Sequence, residues 1–197
     1  MKRAFFARHG ESEYSARELL NGDAAVAVGL TEAGVEQARK LGHVLRAEQI
    51  DLCITTQLPR VIMTADLALE GRDVPRLVLP ELNDPLYGPY EGGHIEEYRG
   101  WAANAPSSAL PGDGGESRFS IVERYVRGLR VVLERPEEAL LVVAHSLPLS
   151  YLLGALEGLV PGARASLVPY AIPYGLTDEE LERCIGVLEG WLAAPTW

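Results

Sequence analysis

The chain has 197 residues, 47% of them apolar, and a formal charge of -10 at pH 7, so it can bury a substantial core and has the length of one domain spanning residues 1–197. That acidity excludes a general nucleic-acid or membrane-surface binder, since both need a basic face, and no apolar run approaches the ~20 residues of a membrane-spanning helix. Cys53 and Cys184 show neither CxxC nor metal-ligand spacing, which predicts a reducing compartment, the cytoplasm, rather than a disulfide scaffold.

The first predicted element is a core strand, Arg3 to Ala7, which runs directly into Arg8-His9-Gly10-Glu11-Ser12. Thr31 to Glu48 predicts a helix, with Thr31 as cap, Glu32 in the first turn, and Val35, Ala38, Leu41, Val44 and Leu45 at helical spacing. Leu52 to Thr55 reads as a second strand and Leu58 to Leu69 as a helix with Pro59 in its first turn. Leu77 to Leu79 is a weaker strand candidate. The segments Glu81 to Gly93 and Asn104 to Gly115 hold much of the proline and glycine and read as irregular site walls or lids.

Ser117 caps the next helix, whose Ile121, Val122, Tyr125, Leu129 and Val132 make one apolar stripe. Leu140 to Ala144 is a third core strand, ending in His145-Ser146, and Leu147 to Leu156 follows as a helix that tolerates Pro148 at its start. Asp178 to Leu192 closes the series, capped by Thr177, with Leu181, Ile185, Leu188 and Trp191 inward and Glu179, Glu180 and Glu182 on the solvated face. Alternating strands and helices without a repeat predict an α/β fold: a single three-layer domain with a mostly parallel central sheet and helices on both faces. Two parallel strands that each end in histidine would bring both imidazoles to one sheet edge, where such folds place ligands.

Histidine is a nitrogen nucleophile that is largely neutral near pH 7 and attacks phosphorus without a separate base. The attack needs charge neutralisation on the phosphoryl oxygens, which guanidinium forks supply in bidentate geometry. Arg8 adjoins His9, and Arg60 opens a helix, where a cation opposes the dipole and an anionic ligand would compensate it. A leaving alkoxide needs a proton, and Asp84, Glu81 and Glu91 are the loop candidates.

These residues resemble the histidine phosphatase superfamily, which includes the cofactor-dependent phosphoglycerate mutases. Arg8-His9-Gly10-Glu11-Ser12 resembles the family's RHGE(S/T) signature, and Leu30-Thr31-Glu32-Ala33-Gly34 with Gln37-Ala38 its LTExGxxQA helix start. Thr56-Gln57-Leu58-Pro59-Arg60 with Thr64-Ala65 is similar to SxLxRAxxTA, and Leu82 to Gly92 to the LxExx(F/Y)GxxEG loop. Gly115-Glu116-Ser117 and Val142-Val143-Ala144-His145 complete the order. The resemblance implies that His9 is phosphorylated, that Arg8, Arg60 and His145 hold the phosphoryl oxygens, and that Asp84 is the proton donor. Glutamate is usual at that place in the mutase branch and aspartate in other branches, so Glu81 stays as second choice. Ser12 is a further phosphate ligand, with backbone donors of the Gly10 turn. Ser15 stands where many relatives have asparagine, and Ser146 where glycine often follows the second histidine.

The expected activity is hydrolysis of a small phosphorylated metabolite without metal or other cofactor, by a protein that binds neither nucleic acid nor membrane. A homodimer stays open. The rival reading is a phosphoglycerate mutase, against which stands the short stretch from Gly92 to Gly115, with Arg99 its one fixed cation. A non-catalytic phosphate binder is a third. A metal site at His9, His145 and Asp84 is disfavoured because Arg8 and Arg60 would repel a cation. Plainer roles suit His43, on a helix surface, His94, and Glu116-Ser117, a helix cap first. Tyr98 and Trp101 are either a lid's apolar anchors or pocket lining.

Overall fold

A computed structural model describes residues 3–197. Five strands form one sheet: β1 (Arg3–Arg8), β2 (Leu52–Thr55), β3 (Arg76–Val78), β4 (Ala139–Ala144) and β5 (Tyr174–Thr177), in the order β3-β2-β4-β1-β5. All neighbours are parallel except β5, which runs antiparallel to β1 at the edge. In the β1/β4 register Arg8 pairs with Ala144, and the His9 N–H continues the ladder to the Ala144 carbonyl at 3.0 Å. His9 and His145 therefore leave adjacent strands at the same level.

Successive strand residues point to opposite faces, and each face has its own core. Phe5, Ala7, Cys53, Leu141 and Val143 pack under α1 (Glu32–Val44) and α2 (Pro59–Ala68). Ala4, Phe6, Ile54, Leu140 and Val142 pack under α4 (Arg118–Leu133), α5 (Ser146–Leu156) and α6 (Asp178–Ala193). This is the expected three-layer α/β arrangement. A third, aromatic cluster of Leu20, Tyr87, Tyr98 and Ala102 sits apart, around α3 (Ile95–Ala102).

The helix caps lie where the sequence places them. Thr31, Ser117 and Thr177 each accept a backbone N–H three residues on, and Thr177 forms a full capping box with Glu180, each cap contributing about 1 kcal/mol. The α4 and α6 stripes are buried as patterned. Val44 is not, at 56% exposed, because α1 ends there and a tighter turn over Leu45–Ala47 swings Leu45 inward instead. The third strand is Arg76–Val78 rather than Leu77–Leu79. Two elements escape the sequence reading. In β5 only Leu176 is buried, the weak signature of a glycine-bearing edge strand. In α3, two glutamates and Gly100 dilute an eight-residue pattern whose buried residues are Tyr98 and Ala102. Among the described residues no helix is long and apolar enough to cross a membrane.

Candidate active site

The turn after β1 is held backbone to backbone against the start of α1. A Cβ on Gly10 or Gly34 would collide with the other segment's backbone, so glycine at both positions lets the His9 turn seat on the helix. The turn's backbone donors, expected at the phosphate, are taken by side chains: Gly10 N–H by Thr64 Oγ1 at 3.0 Å, Glu11 N–H by Gln37 Oε1 at 2.8 Å, and Ser12 N–H by Ser15 Oγ at 2.8 Å.

His9 is 4% exposed. Its Nδ1 lies 2.7 Å from the Gly10 carbonyl, which can only accept, so Nδ1 carries the proton and Nε2 holds the lone pair. Burial, reinforced by Arg60 and Arg8, pushes its pKa well below 6.5, so the ring is neutral at pH 7. Arg60 Nε donates to that Nε2 at 3.1 Å.

Arg60 is the hub. Its Nη1 donates to Asn21 Oδ1 at 2.6 Å, and its Nη2 reaches the Asn21 carbonyl at 2.8 Å, Asp84 Oδ2 at 3.1 Å and His145 Nδ1 at 3.2 Å. Because arginine only donates, His145 Nδ1 is the acceptor, and its Nε2–H donates to Thr56 Oγ1 at 3.0 Å. The two imidazoles meet edge-on with centroids 5.3 Å apart. Burial first, then Arg60, holds the His145 pKa well below 6.5. Asp84 Oδ2 stands 3.6 Å from His145 Nδ1, and burial raises its pKa against the opposing pull of Arg60 and Arg8. A carboxyl group whose hold on its proton is strengthened by burial is suited to donate it as an acid.

Arg8 donates from Nη1 to the Val168 carbonyl at 2.8 Å and lies over the Tyr170 ring at 3.8 Å from its centroid, while its buried Nε has no protein partner. The Ser12 and Ser15 hydroxyls face each other at 2.7 Å. Ser146 Oγ accepts from Val168 N–H at 3.0 Å, fixing the segment that carries Arg8's acceptor. Ser12, Ser15 and Ser146 all line the same cavity as Arg8, His9, Arg60 and Asp84. His145 does not line it; it sits fully buried behind Arg60.

Glu81 is not at the site: its side chain packs on Gly128 of α4. Glu91 is a tether, accepting from Gly22 N–H at 3.0 Å and Tyr87 N–H at 3.0 Å, so the Asn21 segment and the Asp84 loop are tied together. Arg124 pins that loop from the other side, donating to the carbonyls of Glu81 and Asn83 at 2.9 Å each while paired to Glu116. Asn21 and Arg124 carry no motif of their own in the sequence, and Glu91, the glutamate of the EG pair that closes the loop motif, acts as a tether rather than as the acid. Only the turn character of Asn21-Gly22-Asp23 hints at a fixed backbone there. His43 is exposed on α1, and His94 precedes α3 away from the cavity wall.

The cavity has a volume of about 820 Å³. Five arginines and three carboxylates line it, so it is locally positive inside an acidic chain. Tyr14, Tyr87, Tyr98 and Tyr170 give it an aromatic wall, and Tyr98 resolves as lining rather than as a lid anchor. Among the described residues no group of three or more His, Cys, Asp or Glu could hold a metal ion.

A strand-end histidine whose Nε2 lone pair faces Arg60, ringed by arginines and beside a buried carboxyl of raised pKa, is an arrangement suited to phosphoryl transfer. The chain matches the histidine phosphatase superfamily (branch 1) over residues 4–170 and belongs to that family. It is 35% identical to the adenosylcobalamin/alpha-ribazole phosphatase of Salmonella typhimurium over 164 residues, 78% of this chain and 79% of that one. It is also 35% identical to the 2,3-bisphosphoglycerate-dependent phosphoglycerate mutase of a Methylobacterium species over 174 residues, 79% and 83% of the two chains. Among solved structures, the alpha-ribazole phosphatase of Shigella flexneri superposes with a TM-score of 0.72 at 28% identity, covering 88% of this chain and 89% of that one. Identity alone does not separate hydrolase from mutase.

Proposed function

We propose that this protein is a phosphatase that hydrolyses a small phosphomonoester through a phosphohistidine at His9. The observation that carries the reading is the tautomer: the Gly10 carbonyl holds the proton on Nδ1, which leaves Nε2 as the nucleophile. Arg60 Nε donates to that lone pair at 3.1 Å. An arriving phosphoryl oxygen takes over the Arg60 proton, so substrate binding both grips the phosphate and releases the nucleophile.

His9 Nε2 then attacks phosphorus while Arg8 and Arg60 neutralise the oxygens, with His145 behind Arg60 holding that guanidinium through Nδ1. The P–O bond to the leaving group breaks and Asp84 passes its proton to that oxygen. Asp84, now a carboxylate, takes a proton from water as the water oxygen attacks phosphorus, the P–Nε2 bond breaks and its electron pair returns to His9 Nε2. Phosphate leaves, and His9 and Asp84 return to their starting states. Ser12 and Ser15 stand at the wall to hydrogen-bond the phosphate.

Hydrolysis is favoured over mutase turnover because a three-carbon acid would leave most of an 820 Å³ cavity empty. Arg99, the one fixed cation in the stretch from Gly92 to Gly115, is moreover committed to Glu96 at 2.6 Å. The aromatic wall suits a larger leaving group, and alpha-ribazole 5'-phosphate is the first ester to try, given the relatives above. The test is phosphate release from a panel of phosphorylated metabolites and an aryl phosphate with EDTA present, comparing wild type with His9→Ala. Release that falls by about 10,000-fold or more in the variant supports the reading. No release by wild type on any ester, with phosphoglycerate isomerised instead, would replace it with the mutase reading.

A further inference from the structure

We propose that the cavity contains a second oxyanion subsite, built on Arg118 and Tyr98, which recognises an acidic group on the substrate's leaving portion. The proposal rests on the phosphatase reading only in placing the reacting phosphate at His9.

Arg118 repeats the signature of Arg8. Each lines the cavity and is 8% exposed. Each lies over a tyrosine ring, Tyr170 for Arg8 and Tyr98 for Arg118 at 5.3 Å. In both, Nε is buried without a protein partner, and neither pairs with a carboxylate among the described residues. The other well-buried arginines are matched: Arg60 with Asp84 and Arg124 with Glu116. Arg118 has one hydrogen bond, from Nη1 to the Tyr151 hydroxyl at 3.1 Å. The Tyr98 hydroxyl beside it interacts with the guanidinium but makes no well-formed hydrogen bond.

A guanidinium cannot shed its proton, so burying it without an anion is costly. Arg118 is also the first residue of the 16-residue α4, where the helix dipole adds positive potential. A guanidinium without an anionic partner and a helix N-terminus thus lie together at one wall. A carboxylate or phosphate oxygen brought to that wall would be drawn to both.

This wall is separate from the phosphoryl site. His145 caps α5, and Tyr151, the Arg118 partner, lies about 9 Å further along that helix by its rise per residue. Tyr87 and Tyr98, edge-on at 4.8 Å, stand on the cavity wall alongside. A substrate that reaches both arginines would lay an apolar or aromatic middle along those rings.

The experiment uses aryl phosphates bearing a tether that ends in a carboxylate, in a methyl phosphodiester, or in the neutral methyl amide of equal length. For the best tether, wild type is expected to show a kcat/KM about 10- to 100-fold higher for an anionic end than for the neutral one, mainly through KM. The Arg118→Gln variant loses that preference, its ratio of kcat/KM for the anionic to the neutral end falling to about one. Whichever anion is preferred identifies the source of the oxyanion. Equal rates on all three ends in wild type, or a preference that persists in Arg118→Gln, overturns the subsite. Binding of the same compounds to His9→Ala, by calorimetry, reads the subsite without turnover. If no ester is hydrolysed but the anionic ends still bind more tightly, the catalytic reading fails and the subsite stands. Should Arg118→Gln not fold, Tyr98→Phe, which removes only the hydroxyl, is expected to lower the preference, and an unchanged preference in it overturns the subsite.

Discussion

The two ends of the cavity are built on opposite plans. At the phosphoryl end Arg60 contacts Asn21, Asp84, His9 and His145, and Arg8 is the less constrained of the two arginines there, with a buried Nε that has no protein partner. At the Arg118 end a single hydrogen bond to Tyr151 holds the guanidinium, and the tyrosines around it come from the Asp84 loop, α3 and α5. Preorganised dipoles lower a barrier most when they need no reorganisation, which suits the chemistry common to all phosphomonoesters. Unmet donors lower affinity for anything that fails to meet them, which suits choice among esters. Rate and selectivity are therefore expected to respond to different residues.

The largest effect sharpens the first half of that contrast. Asp84→Asn keeps the size and the contact with Arg60 but removes the proton, and kcat/KM for an alkyl phosphate is expected to fall by about 100- to 10,000-fold. An aryl phosphate, whose leaving oxygen needs little protonation, should lose far less. In wild type, kcat/KM on the alkyl ester declines as pH rises through the elevated Asp84 pKa, and that alkaline limb is absent in the variant. Equal losses on both esters would make Asp84 a structural partner of Arg60 and nothing more.

Smaller effects separate the ends directly. Asn21→Ala removes the 2.6 Å acceptor that aims Arg60, and a misaimed guanidinium should cost roughly tenfold, by about the same factor on every ester. Tyr98→Leu, by contrast, should reorder the ester panel while leaving a small aryl phosphate within about twofold, since Tyr98 belongs to the cavity wall and its hydroxyl serves no protein acceptor. Rates on the panel for the two variants check this. If Asn21→Ala reorders the panel instead, the division of labour is wrong.

The same contrast explains what the sequence disclosed. His9, Arg60 and His145 were legible because strand ends and helix starts deliver them, and short-range periodicity marks those elements. Asp84 was distinguishable from Glu81 only once Glu81 was seen packed on Gly128. Asn21 and Glu91 act through backbone carbonyls and N–H groups brought together across long sequence separations, and no residue-type pattern encodes that. Arg118 follows the Ser117 cap as the first residue of α4, and no motif singles it out. Its lack of an anionic partner is a statement about space, invisible until α3 and α5 are placed around it.

The smallest effect concerns stability and tests whether the locked end is as dry as its geometry implies. His9 and His145 are buried and neutral, with pKa values held well below 6.5. Below pH 6.5 the unfolded chain takes up protons that the folded imidazoles refuse, so it binds more protons and stability rises with pH across that window. Each ring contributes up to about 1.4 kcal/mol per pH unit until its folded pKa is reached. Asp84 opposes them: its raised pKa means the folded state keeps a proton that the unfolded chain has lost, and that contribution fades as pH climbs through the folded value. Two imidazoles outweigh one carboxyl, and denaturant unfolding between about pH 5 and pH 7 should show stability rising with pH. His145→Gln supplies an acceptor for Arg60 and a donor for Thr56 without a titrating ring, and should remove roughly half of the histidine contribution. An unchanged slope would mean that His145 takes up its proton in the folded state, and that water reaches the layer behind Arg60.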